Sequence, residues 1–336
     1  MDKPLLISIL MPVYNAGPHL SACLDSIRSQ SEINWELIAV DDQSLDDSSI
    51  ILNAAAQKDV RIRCFRTEEK GIIPALRLAF AKCRGQLISR MDADDLMAAD
   101  KLAQLKRILL KQGKGVVATG LVRYFSDGQL GNGYLRYEQW LNQMSREGRH
   151  YASIYQECVL ASPCWMTWRE DLEACGAFES DLYPEDYDLC FRFYRQGLKI
   201  QAAQSVLHHW RDHPQRSSRN DPNYAQPQYF DLKLPYFLEL DYRQERPLLL
   251  WGAGKKGKQL ARKLHAAGVA FRWMTNNPKK HGKQIGEHLL EPESILATLP
   301  APQIIIAIAN PDERKAIRHR LDGENRQAGR DYFFFC

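Results

Sequence analysis

Short apolar runs alternate with stretches whose apolar residues recur every three to four positions, from the start of the chain to about residue 120. "LLISILMPVYN" reads as a buried strand ending in a turn, and Leu20, Leu24 and Ile27 line one face of the helix after it. "WELIAVDD" is a second strand, with Ser44 placed to cap the next helix, and "RIRCFRT" a third. "IPALRLAFAKCRG" predicts a helix with Leu76, Phe80 and Cys83 on one side and Gly85 as its stop. "QLISRMD" is a fourth strand, followed by a helix from Lys101 to Lys111 and the strand "GVVATG". This alternation predicts a mainly parallel sheet covered by helices on both faces, which binds ligands beyond the carboxyl ends of its strands. Three polar clusters, "PVYN", "VDDQS" and "RMDADD", fall at those ends and are expected to converge.

Past residue 120 the pattern blurs. "YFSDGQLGNGYLRY" reads as an irregular hairpin. "LYPEDYDLCFRFYRQG" reads as a helix with Leu189, Phe193 and Gln196 following Asp186, stopped by Gly197. Residues 221–246, in a polar, Pro-dotted stretch that turns aromatic, read as a connector packing on the first domain. A second α/β unit is expected over 247–336: "PLLLWGAGKKGKQLARKLHAAG" is strand, glycine turn, helix and stop, and Asn310 and Pro311 open a later helix as cap and first-turn residue.

The 336 residues suit two domains. No run of about eighteen apolar residues occurs, and the opening apolar run is too short for a signal peptide, so a cytoplasmic chain is expected. The eight cysteines form no CxxC pair and lie mostly in apolar stretches, which predicts reduced core thiols. The net charge of +4 is uneven: from Pro247 onward 15 Lys and Arg face 8 Asp and Glu. That excess suits an anionic surface such as phosphate groups or a membrane face, or is a solvated surface without a partner. No nucleic-acid partner is expected.

Asp92, Asp94 and Asp95 repel one another unless something positive gathers them. Hard carboxylate oxygens on a strand-end loop suit Mg2+ or Mn2+, whose open positions phosphate oxygens fill. The plain alternative is a helix N-terminus decorated with acids. Tyr14 at the first strand end suits stacking on a base, and Asp42 at the second suits a hydrogen bond from a base N–H or a ribose hydroxyl; core packing and helix capping are their plain alternatives. "PEDYD" places Glu185 and Asp186 just before a helix, where capping by Asp186 with Glu185 exposed is the plain reading.

"SILMPVYNAGPHLSACLDSIRSQ", "WELIAVDDQSLDDS", "GIIPALRLAFAKCRGQLISRMDADD" and "PEDYDLCFRFYRQG" follow one another in an order that resembles the family 2 glycosyltransferases of GT-A fold. The resemblance covers residue 5 to about 220 and implies a GT-A domain over 1–220. It implies a metal-dependent, inverting enzyme of the hexosyltransferase class, moving a sugar from a UDP-sugar to a glycan or lipid-linked acceptor in bacterial surface polysaccharide synthesis. Such an enzyme works in the cytoplasm, with peripheral association at the inner membrane face. Carried over residue by residue, Tyr14, Asn15 and Asp42 hold the uridine and Pro12 lines its pocket. Asp92 lies by the sugar nucleotide, Asp94 ligates Mn2+ or Mg2+, and Asp186 is the base beside Glu185. Arg90, just before the acidic cluster, pairs with a carboxylate. "HHWRDHPQRSS" resembles the segment that closes over the diphosphate, which makes His213 a metal ligand and Arg211 and Arg216 phosphate partners, with His208 and His209 structural. Arg77 stands where many relatives have asparagine. Aromatics of the Leu121 to Pro163 region and beyond, such as Tyr134, Tyr137, Trp140, Trp165 and Trp168, are candidates for stacking on acceptor sugars or for core packing.

"GAGKKG" fits G-x-G-x-x-G between a strand and a helix, making Gly252, Gly254 and Gly257 candidate phosphate binders. A dinucleotide reader also needs an acid at the end of the next strand, where this chain has Thr275, Asn276 and Asn277. The segment resembles small Rossmann-like domains attached to sugar-modifying enzymes. Its role is open between NAD(P) binding, another phosphate ligand, and structure or partner docking. Two other classes compete with the transferase: a sugar-nucleotide-binding scaffold without turnover, and a dinucleotide-dependent enzyme centred on this unit.

Overall fold

A computed structural model describes residues 5–126, 128–224 and 229–336. It divides into two compact units, Met1–His150 with Val159–Ala225, and Tyr151–Cys158 with Gln226–Cys336.

The first unit runs β1 (Ile7–Val13), α1 (Gly17–Arg28), β2 (Trp35–Asp41), α2 (Ser48–Lys58), β3 (Ile62–Arg66), α3 (Ile72–Lys82), β4 (Leu87–Arg90), β5 (Leu96–Met97) and α4 (Lys101–Gln112). It continues through β6 (Val116–Phe125), α5 (Asn132–Glu147), β7 (Trp165–Trp168), α6 (Arg169–Ala174), α7 (Glu185–Arg195), β8 (Lys199–Arg211) and α8 (Ser217–Asn220). Its eight strands lie in the order β3-β2-β1-β4-β7-β6-β8-β5. The first four are mutually parallel, and β7 and β5 run antiparallel to their neighbours. Strands buried on both faces explain the unbroken apolar runs: every residue of β2 and β4 is buried, and of β1 all but Pro12. On the helix side, α4 turns Leu102, Leu105 and Leu109 inward, each worth roughly 1.5–3 kcal/mol of burial. Glu36, buried in β2, is matched by Ser8 Oγ (2.7 Å), by the backbone and side chain of Arg84, and by Arg63.

Three local expectations change. The predicted hairpin after residue 120 is β6 continuing to Phe125, then, beyond residue 127, which lies outside the described residues, the sixteen-residue helix α5. Ser44 does not cap α2, whose cap position is Asp47; its hydroxyl accepts the Asn15 N–H at 3.0 Å. Gly85 is not the left-handed stop of α3. A Cβ there would sit 2.6–2.7 Å from Ser8 and Leu6 atoms, so the residue is needed for close approach to β1. Gly197, at φ +70°, does follow the last turn of α7 in the left-handed region.

The second unit contains α9 (Phe230–Leu240), β9 (Leu248–Trp251), α10 (Lys255–Ala266), β10 (Arg272–Met274), β11 (Gln284–Ile285), β12 (His288–Glu291), β13 (Gln303–Ile306), α11 (Pro311–Gly323) and β14 (Tyr332–Phe334). The strand order is β11-β12-β10-β9-β13-β14, parallel except for β11. Asn310 caps α11 through its side chain, with Pro311 in the first turn. Helix α9, from the stretch read as a connector, belongs to this unit, as does the segment 151–158; residues 225–228 lie outside the described residues. Tyr155 stacks on Phe335 (5.2 Å between centroids) and meets Phe237 edge-on, so these segments build this unit's core.

Gly257 packs against the β9–α10 turn so closely that a Cβ would stand 1.9 Å from the Gly252 carbonyl oxygen. Gly257→Ala is therefore expected to cost about 3 kcal/mol of stability in denaturant unfolding of the full chain. A midpoint equal to wild type would show that the turn yields.

Candidate functional site

Adjacent parallel strands β2, β1 and β4 bring the three polar clusters to one end of the sheet. Val13 pairs with Asp41 and Leu10 with Arg90; the next amides, of Asp42 and Met91, donate to Val13 O and Leu10 O at 2.7 and 3.0 Å. At the end of β1, Tyr14 is 43% exposed, with the Lys70 ammonium 3.0 Å from its hydroxyl and 4.4 Å from its ring centre. Asn15 takes a left-handed φ of 47° and accepts the Leu45 N–H at 2.8 Å, tying the first strand-end loop to the second. Asp42 is buried and accepts the Gly71 N–H at 2.8 Å; burial raises its pKa.

The β4–β5 loop carries the acids. Asp94 and His213 face each other, with Nε2 2.8 Å from Oδ2. This contact lowers the pKa of Asp94 against the opposing effect of burial, and raises that of His213. Asp95 is fully buried and takes Arg211 N–H at 2.7 Å and His208 Nε2 at 2.9 Å. Burial, with the charges of Asp94 and Asp92, raises its pKa. Lys101, also fully buried, donates to Pro163 O (2.6 Å) and stands 3.2 Å from His208 Nδ1. With Nδ1 accepting from the lysine, the imidazole proton sits on Nε2 and is donated to Asp95. His208 is thus structural, and the lysine reaches Asp95 of the acidic loop through it.

Arg90 links this loop to the second catalytic candidate. It is 4% exposed, with Nε 3.1 Å from Asp92 Oδ1 and Nη1 3.0 Å from Glu185 Oε1. Asp92 also meets Ser162 Oγ at 3.4 Å, and burial raises its pKa against the pull of Arg90. Asp186, in the first turn of α7, accepts the Tyr187 N–H at 2.8 Å. Burial and the neighbouring Glu185 charge push its pKa up to about 7, with Arg90 opposing. Arg77 donates to Phe178 O (2.7 Å), Glu179 O (2.6 Å) and Asp181 Oδ1 (2.6 Å), so it clamps the loop leading into the Glu185–Asp186 pair.

The structure thus brings Arg90, Asp92, Asp94, Asp95, Glu185 and His213 into one bonded network. Arg211 stands in its wall: Nε donates to Asp94 O at 2.9 Å and the guanidinium lies over Phe125. Arg216 packs over Trp210 at 4.8 Å. Trp165 is core, edge-on to Phe193, whereas Tyr134, Tyr137 and Trp140 remain partly exposed on α5. Sequence reasoning missed Lys101, Ser162 and Tyr224, the last donating to Glu185 Oε2 at 2.6 Å. All eight cysteines are free and seven are buried.

Residues 8–176, half of the chain, match the sequence profile of the family described as "Glycosyl transferase family 2". The chain belongs to this family. It is 30% identical over 216 residues to the glycosyltransferase EpsJ of Bacillus subtilis, covering 62% of each chain. It is 36% identical over 107 residues to WfgD of Escherichia coli, a UDP-Glc:alpha-D-GlcNAc-diphosphoundecaprenol beta-1,3-glucosyltransferase, covering 32% of this chain and 42% of WfgD. The chain thus spans less than two thirds of the length of these curated relatives. In fold it is similar to S. aureus TarS 1–349 in complex with UDP-GlcNAc (TM-score 0.55, 15% identity, 69% of this chain and 66% of that one). It is also similar to the Pyrobaculum calidifontis mannosyltransferase PcManGT in complex with GDP-Man and Mn2+ (TM-score 0.52, 20% identity, 71% and 64%). The first unit has the GT-A fold of these transferases.

In the second unit Gly252, at φ +120°, and Gly257 shape the turn, and Gly254 is the cap of α10. Lys280 Nζ donates to Ala253 O at 2.9 Å. Asn276, in the acid-free stretch Thr275, Asn276 and Asn277 that follows β10, accepts the Trp251 indole N–H. Among the described residues no helix is long and apolar enough to cross a membrane.

Proposed function

We propose that the chain is a metal-dependent, inverting glycosyltransferase that moves a sugar from a UDP-sugar to a hydroxyl of a glycan or lipid-linked acceptor in bacterial polysaccharide synthesis. The observation that carries this reading is Arg90, which bonds Asp92 and also Glu185, 95 residues further along the chain. It sets the acidic strand-end loop beside the carboxylate pair that supplies a base.

Among the described residues no group of three or more His, Cys, Asp or Glu side chains is arranged to hold a metal. The Asp94–His213 pair still fits Mn2+ or Mg2+: it offers one oxygen and one nitrogen and leaves further positions for diphosphate oxygens. When bound, a divalent ion offsets charge developing on the departing diphosphate. Tyr14, Asn15 and Asp42 hold the uridine, with Pro12 lining its pocket, and Asp92 lies by the ribose. Asp186 takes the proton of the attacking acceptor hydroxyl, while Arg90 and Glu185 hold the loop around it. The relatives support the substrate class: WfgD is named for UDP-Glc and a lipid-diphosphate-linked GlcNAc, and the TarS structure holds UDP-GlcNAc.

The test is UDP release from a panel of UDP-sugars with Mn2+ and candidate acceptors. Turnover with at least one donor is expected. UDP binding without turnover across the panel would favour the scaffold reading. The second unit we read as Rossmann-like, with a structural or docking role. NAD(H) titrated into the full chain is expected to give a flat response, because Thr275, Asn276 and Asn277 after β10 offer no acid for a ribose.

A further inference from the structure

The stretch that follows β8 reaches both halves of the site. At its start His213 bonds Asp94 at 2.8 Å. At its far end the Tyr224 hydroxyl donates to Glu185 Oε2 at 2.6 Å, and the ring meets Tyr183 edge-on at 6.2 Å. Between these points the stretch braces itself. Arg219 Nη2 holds both Asp212 oxygens at 2.9 and 2.8 Å, Asn220 Nδ2 donates to Pro214 O and Arg216 O, and Tyr224 N donates to Asp221 O at 3.0 Å. Glu185 therefore has one oxygen on Arg90 and the other on Tyr224. Held at both oxygens, the carboxylate has one orientation.

We propose that Tyr224 is a positioning residue for sugar transfer: its hydroxyl fixes Glu185, and through Glu185 the Arg90–Asp92 pair, so that Asp186 stays turned to the acceptor hydroxyl. The inference rests on the transferase reading above. Without the hydroxyl, the buried Glu185 Oε2 loses its donor, and the carboxylate turns to share Arg90 in competition with Asp92. The neighbouring Asp186 then meets a differently placed negative charge. Uridine contacts at Tyr14 and Asp42 belong to other strand ends, so the loss falls on the transfer step and spares donor binding.

The test is a double-mutant cycle on the full chain with Tyr224→Phe, Glu185→Ala and the pair. It reads UDP release at saturating Mn2+ from the UDP-sugar that the wild-type chain turns over fastest, with water as acceptor. Tyr224→Phe is expected to lower kcat about tenfold, the scale of one hydrogen bond to a charged group, with donor KM within about twofold of wild type. Added to Glu185→Ala, it is expected to cost less than about twofold more, because the hydroxyl acts through that carboxylate. A folding defect would multiply equally in both backgrounds. Tyr224→Phe turnover within twofold of wild type, or an equal loss in both backgrounds, overturns the proposal while leaving the transferase reading standing. Absence of wild-type turnover with every donor and candidate acceptor overturns that reading itself.

Discussion

Asp186→Asn is expected to lower turnover by about three orders of magnitude while UDP binding in the presence of Mn2+ stays within about twofold of wild type. The amide keeps the shape of the side chain and its bond from Tyr187 N–H but cannot take a proton. General-base removal typically costs 10²–10⁴-fold. The uridine-holding candidates Tyr14, Asn15 and Asp42 stand at other strand ends in the proposed site, so calorimetric UDP titration should not distinguish the two proteins. Retention of more than a tenth of wild-type turnover would move the base elsewhere.

The same residue gives a pH signature. Burial and Glu185 set its pKa at about 7, so kcat should rise as pH rises through 7 and level off above it. The stability consequence has the opposite direction. The folded-state pKa lies above the unfolded value of about 3.9, so the native state binds the extra proton between these values. The associated stability is full below about pH 4 and is lost as pH rises through about 7. Asp186→Asn removes that loss, and at pH 8 the variant should be more stable than wild type by about 1–3 kcal/mol. Equal denaturation midpoints at pH 8, with a wild-type kcat independent of pH from 5 to 8, would show an ordinary exposed carboxylate.

The second large effect is expected at Asp94. Asp94→Ala removes one of the two proposed protein ligands, leaving His213 without its 2.8 Å partner. Turnover at fixed Mn2+ should fall by about two orders of magnitude or more, with partial recovery as Mn2+ is raised. UDP affinity measured in EDTA should match wild type, because Tyr14, Asn15 and Asp42 stand on other strand ends. A variant with normal Mn2+ dependence would take Asp94 out of the metal's reach.

The acidic half of this site was legible because buried parallel strands write themselves as short apolar runs. Their ends are where the polar residues must fall. "ISILMPV", "WELIAVD" and "LISR" are such runs, and Tyr14, Asp42 and Asp92 follow from where they stop. Helix α5 was not legible, since its first turns carry Gly, Asn and Tyr in a turn-like mixture and its buried face is only Leu141, Asn142, Met144 and Ser145. The placement of 151–158 with the second unit depends on Tyr155 meeting Phe237 and Phe335, contacts that no local pattern announces. Lys101 read only as the start of a helix, and lysine is seldom fully buried; the fold alone shows Pro163 O and His208 meeting it. Tyr224 lies in a polar, Pro-dotted stretch whose meaning comes from the carboxylate it reaches.

The measurement that bears most directly on the whole account is calorimetric titration of UDP into the wild-type chain, with Mn2+ and then with EDTA. The account predicts binding that tightens at least about tenfold with the metal, a gain of about 1.4 kcal/mol. UDP binding of equal strength in both conditions, or none in either, would contradict it.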